Sequence, residues 1–284
     1  MKKLWVRLLK HINPSLQIKA IRSPYRFSLR ELLNPDPCAT WTMPEVNVVS
    51  RDLNWSELEI QRLRFFWPIE YDHSELSWLY MEVFSPAISN PHAYEFNHIK
   101  INSKEWVIDG GACEGFFTAY ALARGACVLA IEPVKRLCEA LSLTFKNEIS
   151  QGRVRILHGC LGKADGTVTI DVNTRSVSTT TIGTGGAYTV RVYTIDTILS
   201  RGIIPDVGFI KMDIEGSEIE ALIGSKRTLQ KNKPRLAIAV YHSLKNAQIA
   251  KQMVLTARSD YKIIYRGMYA WEDCIPRPYM LLGS

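Results

Sequence analysis

The sequence predicts an α/β fold built on a parallel sheet, and three observations carry that prediction. From residue 105 onward, apolar β-branched runs alternate with helix-period segments, the pattern of βαβ units. Seven such runs fall in the second two-thirds of the chain. The composition, 46% hydrophobic and 22% charged over 284 residues, is that of a globular chain able to bury a core without staples, and it excludes wholesale disorder. No apolar run approaches the roughly 18 residues of a membrane span.

The chain opens on a basic arm. Lys2, Lys3, Arg7, Lys10, Lys19, Arg22, Arg26 and Arg30 face no acidic residue in the first thirty positions. The other 27 basic and 28 acidic residues nearly cancel, so the net charge of +7 belongs to the arm. A nucleic-acid enzyme spreads positive charge over its working face, and this body does not. Leu4, Trp5, Leu8, Leu9 and Ile12 share one helical stripe that Pro14 ends. Such a helix suits an anionic membrane surface or a docking place on its own protein. It lacks the apolar h-region and cleavage site of a signal peptide.

Residues 15–53, rich in Pro, Ser and Asn, read as loops or a tether. Residues 55–98 are dense in aromatics, with short helices expected near 55–65 and 74–84. We divide the chain into an arm and aromatic extension, 1–100, and a sheet domain, 101–284. The sheet strands are expected at Trp106–Asp109, Val128–Glu132, Val154–His158, Phe209–Asp213, Leu236–Tyr241, Tyr261–Tyr265 and Tyr279–Leu282. Helices fit near 115–124, 134–147, 217–231 and 244–258. Val168–Val172 and Val190–Thr194 read as an added hairpin around a Ser/Thr/Gly-rich loop, Ser176 to Gly186. Cys38, Cys113, Cys127, Cys138, Cys160 and Cys274 form no C-x-x-C pair and no zinc spacing with a histidine; they read as reduced thiols of a cytoplasmic protein.

Four motifs sit at expected strand ends, where an open α/β sheet binds ligands. Val107-Ile108-Asp109-Gly110-Gly111-Ala112-Cys113-Glu114-Gly115 joins a strand to a helix. Its spacing is not G-x-G-x-x-G, and Glu114 would crowd a pyrophosphate, so the loop suits a cationic, phosphate-free ligand. Glu132 ends the next strand about twenty residues on, where an acid grips ribose hydroxyls; as a helix-start acid before Pro133 it also has a structural explanation. Phe209-Ile210-Lys211-Met212-Asp213-Ile214-Glu215 delivers two carboxylates whose desolvation calls for a cationic ligand, a metal or Lys211. Ser217 to Glu220 reads as a capping box. His242 follows the next strand and is a candidate base; His92 and His98, in a loop, read as structural.

With these residues assembled, the chain resembles the FkbM family of S-adenosylmethionine-dependent methyltransferases over roughly 105–283. The likeness rests on V-I-D-G-G-A-C-E-G-F-F at 107–117, I-E-P at 131–133, F-I-K-M-D-I-E-G-S-E at 209–218 and A-V-Y-H at 239–242. Cys113 departs from the asparagine the pattern carries there. The resemblance implies a class I methyltransferase (Rossmann-like) fold: a seven-stranded, mostly parallel sheet with its last strand antiparallel, preceded here by a helical or irregular extension. It implies S-adenosylmethionine as donor, and O-methylation of a hydroxyl on a sugar, glycolipid or polyketide-like acceptor. By matching position, Asp109, Gly111, Ala112 and Gly115 are expected along the methionine part of the donor. Glu132 is expected on the ribose, and Gly159 and Cys160 near the adenine.

An alcohol acceptor must lose its proton, so Asp213, Glu215 and His242 are the catalytic candidates: Asp213 or His242 as base, Glu215 as the positioning acid. No metal ligand set is assigned. The expected partners are a hydroxylated acceptor and, through the arm, a peripheral membrane contact; nucleic acid is not expected. Two other readings share the sheet. A nicotinamide-dependent oxidoreductase would need a different loop spacing. A non-catalytic methyltransferase-like module would bind the donor without turnover.

Overall fold

A computed structural model describes residues 19–20, 22–34, 37–172, 181–182, 188–270 and 274–284. The stripe from Leu4 to Ile12 and most of the Ser176–Gly186 loop lie outside the described residues.

In the extension a short helix, α1 (Leu29–Leu33), is capped by a box of Ser28 and Glu31. A 3-10 turn (Pro37–Thr40) follows. Three antiparallel strands come next: β1 (Asn47–Arg51), β2 (Trp55–Ile60) and β3 (Leu63–Pro68), in the order β1-β2-β3. The helix expected at 55–65 is therefore a hairpin, and the region taken as loop gains a strand. Burial at Ser56, Leu58 and Ile60, and again at Phe65 and Trp67, alternates with period two, which outweighs the helix propensity of Glu and Leu. Gln61 and Arg62 both take positive φ, 50° and 78°, as a two-residue primed turn demands. Helix α2 (Leu76–Phe84) matches the second expected helix.

The main body runs β4 (Trp106–Gly110), α3 (Phe116–Leu122), β5 (Cys127–Glu132), α4 (Lys135–Thr144), α5 (Lys146–Ser150) and β6 (Val154–His158). A smaller sheet follows, formed by β7 (Cys160–Leu161), β8 (Gly166–Asp171), β9 (Thr181–Ile182) and β10 (Tyr188–Tyr193), with β8 and β10 as the expected hairpin. Then come α6 (Ile195–Ser200), β11 (Phe209–Met212), α7 (Glu218–Ile223), α8 (Lys226–Asn232), β12 (Arg235–Ala239), α9 (Asn246–Ala257), β13 (Ile263–Tyr269) and β14 (Arg277–Gly283).

The large sheet has seven strands in the order β13-β14-β12-β11-β4-β5-β6. All neighbours pair parallel except β14, which is antiparallel to both β12 and β13. This is the class I methyltransferase arrangement. The chain winds outward from β4 to β6 on one side and returns at β11 on the other, so the switch point lies between β4 and β11. A crevice opens there beyond the strands' carboxyl ends.

Alternate residues of each central strand feed two apolar layers. Val107, Phe209 and Ala237 pack with Phe116 and Phe117, and with Leu58, Ile60, Phe65 and Trp67 of the extension. Ile108, Ile210 and Leu236 pack on the other face with Leu222, Val254 and Leu281. The extension is bound to the body by rings: Phe65 meets Phe116 edge-on at 5.1 Å, and Tyr80 meets it at 5.6 Å. All six cysteines are free. No described helix is long and apolar enough to cross a membrane.

Candidate active site

The loop after β4 is shaped by two glycines. Gly111 has φ +74°, and a Cβ there would run into the carbonyl oxygen of Asp213. Gly115, φ +88°, opens α3 where a Cβ would strike Leu141 and Phe145. The Gly111 and Ala112 N–H groups donate to the Ile131 carbonyl at 3.0 and 3.2 Å, which pins the loop over the end of β5. Glu132 braces it from below: its carboxylate accepts the Cys113 N–H at 2.9 Å and the Val134 N–H at 2.8 Å. Burial pushes the Glu132 carboxyl up to about 7, against those donors, and pushes Glu114 up to about 7 as well.

Asp109 and Lys211 lie side by side on β4 and β11. The Asp109 carboxylate is 0% exposed and accepts from Thr118 Oγ1 at 2.7 Å and from Lys211 Nζ at 3.0 Å. Lys211 also donates to the carbonyls of Gly110 and Gly111 at 3.1 and 2.7 Å. Burial opposes the lysine's charge, but Asp109, Asp213 and Glu114 together outweigh it and hold the ammonium above its ordinary pKa.

Beyond β11 the chain turns sharply, with Glu215 at φ 54° and Gly216 at φ 93°. The expected capping box is absent. Ser217 makes no side-chain cap, and Glu220 instead pairs with Lys163 at 2.9 Å. Glu218 takes over the orphan donors: its Oε1 accepts the Ile214 N–H at 2.9 Å and the Gly216 N–H at 3.4 Å. The acid two residues after Gly216 reaches back across the tight turn and satisfies two of the turn's own N–H groups.

Asp213 accepts from Tyr94 Oη at 3.1 Å, and His92 Nε2 stands 3.3 Å from the same oxygen. Burial alone would raise this carboxyl. His92, Lys211 and His242 outweigh it and hold Asp213 well below the usual carboxylate range. His242 stacks on Tyr241 and lies 3.5 Å from Glu215 and 3.4 Å from Glu218. Burial would lower the imidazole, yet these two acids push it up to about 10.

These groups meet at a cleft of about 480 Å³. Gly111, Cys113 and Glu114 line one side, Asp213 and Glu215 the floor. Trp78 and Glu82 of α2, with Tyr94, form a wall supplied by the extension. Five carboxyl side chains face the cleft against one lysine. Of the residues singled out in the sequence, Gly111, Asp213 and Glu215 line it and His242 stands beside them. Asp109, Ala112 and Glu132 lie buried behind the loop. Gly159 and Cys160 are turned toward the smaller sheet: the Tyr193 ring covers Gly159, and Cys160 is buried. The sequence reading assigned no site residue in the extension: Trp78 and Tyr94 belong to its aromatic run, His92 reads there as structural, and Glu82 is not singled out. They stand well over a hundred residues from Asp213 along the chain, and no local pattern announces such a contact.

A seven-stranded sheet in this order, with its one antiparallel strand, is the fold of a class I methyltransferase, the class whose methyl donor is S-adenosylmethionine. The sequence model of the methyltransferase FkbM domain matches residues 109–262, more than half of the chain, and the chain belongs to that family. Among solved structures it is similar to the methyltransferase FkbM from Methylobacillus flagellatus KT, at 20% identity and a TM-score of 0.53 over 95% of this chain and 58% of that one. The chain thus spans little more than half the length of that relative. Similarity also extends to a putative rRNA-methylase from Clostridium thermocellum (9% identity, TM-score 0.40, 64% of this chain and 87% of that one). A third is Trm5b from Pyrococcus abyssi (13% identity, TM-score 0.44, 83% and 56%). No curated protein matches the chain.

Proposed function

We propose that this protein transfers a methyl group from S-adenosylmethionine to a hydroxyl oxygen of a sugar, glycolipid or polyketide-like acceptor. The observation that carries the reading is the acid-rich cleft at the carboxyl ends of β4 and β11. The donor is a net cation without phosphate, so an excess of carboxylates fits it where a pyrophosphate would be repelled. When bound, it supplies an electrophilic methyl group on a sulfonium.

The chain's own groups have separable tasks. Gly111 lets the loop pack against the Asp213 backbone, which sets the shape of the donor side of the cleft. Glu114 offers an acid on the cleft wall. Glu132 would hold the ribose with the lone pairs that Cys113 and Val134 leave free. Asp109 acts through Lys211, which ties down the carbonyls of the loop. An alcohol must shed its proton as its oxygen attacks. Asp213, in the cleft lining and oriented by Tyr94 and His92, takes that proton. With no cation beside it, His242 is held protonated by Glu215 and Glu218 and orients Glu215 rather than serving as base. Trp78, Tyr94 and Tyr241 give the cleft the aromatic faces on which a sugar ring packs. The basic arm adds a surface suited to anionic membrane, where a glycolipid acceptor resides.

The test has two arms. Calorimetric titration with S-adenosylhomocysteine should show saturable binding. Labelled donor offered with hydroxylated sugars, polyketide-like alcohols and cell-envelope lipid extract should then give an alkali-stable methyl ether. Absence of any heat with the nucleotide would end the reading; label on nitrogen or carbon would end the oxygen assignment.

A further inference from the structure

We infer that Asp213, Glu215 and His242 form a binding site for one divalent cation at the mouth of the cleft. Nothing in their sequence spacing announces a metal site. The fold assembles it: β11 and β12 pair parallel with Met212 opposite Ile238, so the segments that leave the two strands emerge side by side. One carboxylate oxygen from each acid and one ring nitrogen of His242 lie within 4.8 Å of one another. An ion bonded to each at roughly 2.0–2.2 Å holds such atoms within about 4.4 Å of one another, which a small closing of these side chains achieves. Two hard carboxylates with one imidazole, and open positions toward the cleft, suit Mn²⁺ or a similar first-row dication.

Two deeply buried side chains point to the same place independently. His92, its side chain 3% exposed, directs Nε2 to within 3.3 Å of Asp213, and neither ring nitrogen has a hydrogen-bond partner among the described residues. Glu218, 0% exposed, brings Oε1 to 3.4 Å from His242 Nδ1, while its Oε2 has no such partner. Asp213 Oδ1 and both ring nitrogens of His242 are left in the same condition. Buried polar atoms in native folds are almost always satisfied, so the two buried carboxylate oxygens left without a hydrogen-bond partner, Asp213 Oδ1 and Glu218 Oε2, mark a place for a positive centre. Asp260 provides the contrast, since its carboxylate is held by Arg258 and Lys233. His92 and Glu218 stand behind the ligands as metal sites require, each fixing a neighbouring group. The cation takes the place of the imidazole proton, which leaves to solvent.

The site deepens the reading of the cleft given above, since a dication there faces the acceptor's hydroxyl; binding itself does not depend on that reading. The full chain is titrated with Mn²⁺ alone while the electron paramagnetic resonance signal of free Mn²⁺ is followed. One saturable ion per chain is expected. Glu215→Gln and His242→Ala should abolish saturation, Glu218→Gln should weaken it about 10- to 100-fold, and Glu220→Gln should leave it unchanged. Thermal melting and calorimetric S-adenosylhomocysteine binding identify variants that still fold. Non-saturating loss of signal in the parent protein, or saturation that survives in folded Glu215→Gln and His242→Ala, would overturn the site. Intact Mn²⁺ binding with no nucleotide binding would instead overturn the methyl-transfer reading and leave the site standing.

Discussion

Lys211 Nζ and Asp109 Oδ1 lie 3.0 Å apart between the two central strands, both sealed from solvent. The pair stands directly beneath the glycine loop, and the lysine's remaining donors hold two of that loop's carbonyls. The acid that begins the sequence motif thus works through a lysine a hundred residues away.

Removing one partner of such a pair strands the other. Lys211→Met should lower unfolding stability by about 3–5 kcal/mol in urea titration, because Asp109 keeps a buried charge with only Thr118 to satisfy it. Adding Asp109→Leu to that variant should recover part of the loss. An additive double variant would show that the two side chains are not coupled.

Gly111→Ala tests the loop itself. The new methyl meets the Asp213 carbonyl, and the residue must also hold φ +74°. The backbone strain alone should cost about 1–3 kcal/mol, and calorimetry should show donor affinity falling with it. A variant that binds S-adenosylhomocysteine as well as the parent would remove the loop from the site.

The raised carboxyl of Glu132 gives a stability profile with a definite sign. Its pKa is about 7 folded against 4.5 in the free chain, so between those values the folded state binds more protons than the unfolded one. Stability from this group therefore falls as pH rises from about 4.5 to 7 and is level above that. Glu132→Gln should flatten this part of the curve of melting temperature against pH. Ionised carboxylates also attract the cationic donor, so S-adenosylmethionine affinity should rise between pH 6 and 8. A flat affinity profile would count against an acid-held donor.

Asp213→Asn keeps size and loses charge. Turnover should drop about 10²–10⁴-fold with S-adenosylhomocysteine affinity nearly unchanged, a split seen by comparing single-turnover rates with calorimetry. Equal losses in both would make Asp213 a donor ligand rather than the group that handles the proton.

The arm can be tested apart from the cleft. Changing Lys2, Lys3, Arg7 and Lys10 to Glu should abolish cosedimentation with phosphatidylserine vesicles, at about 1 kcal/mol for each cation removed. Added salt should weaken the parent's binding in the same assay. Binding to phosphatidylcholine vesicles of the same strength would refute an electrostatic attachment.

Much of the body was legible because periodicity and strand-end chemistry are local. The alternation of apolar runs located all seven sheet strands, and the glycines of 110–115 announced a turn that only glycine fits. The hairpin at 55–68 was hidden because Gln61-Arg62 carries none of the Asn or Gly that marks a primed turn, so the aromatic run read as helix. The capping box expected at 217–220 does not form, because Glu220 is drawn off to Lys163 and the neighbouring Glu218 takes up the turn's N–H groups. His92 and Tyr94 were illegible for a different reason. Their meaning is the 3.3 and 3.1 Å distances to Asp213, and proximity across such a span is fixed by packing of the extension, not by neighbouring residues.

The wall that Trp78 and Tyr94 contribute makes the cleft a composite of two stretches of polypeptide, the glycine loop after β4 and the aromatic stretch ahead of it. In the function proposed above, the loop meets the donor and the aromatic stretch meets the acceptor, so substitutions at Trp78 should retune what is accepted while leaving donor capture intact. A fragment trimmed to begin at residue 101 would lose that wall and lay Phe116 and Phe117 bare.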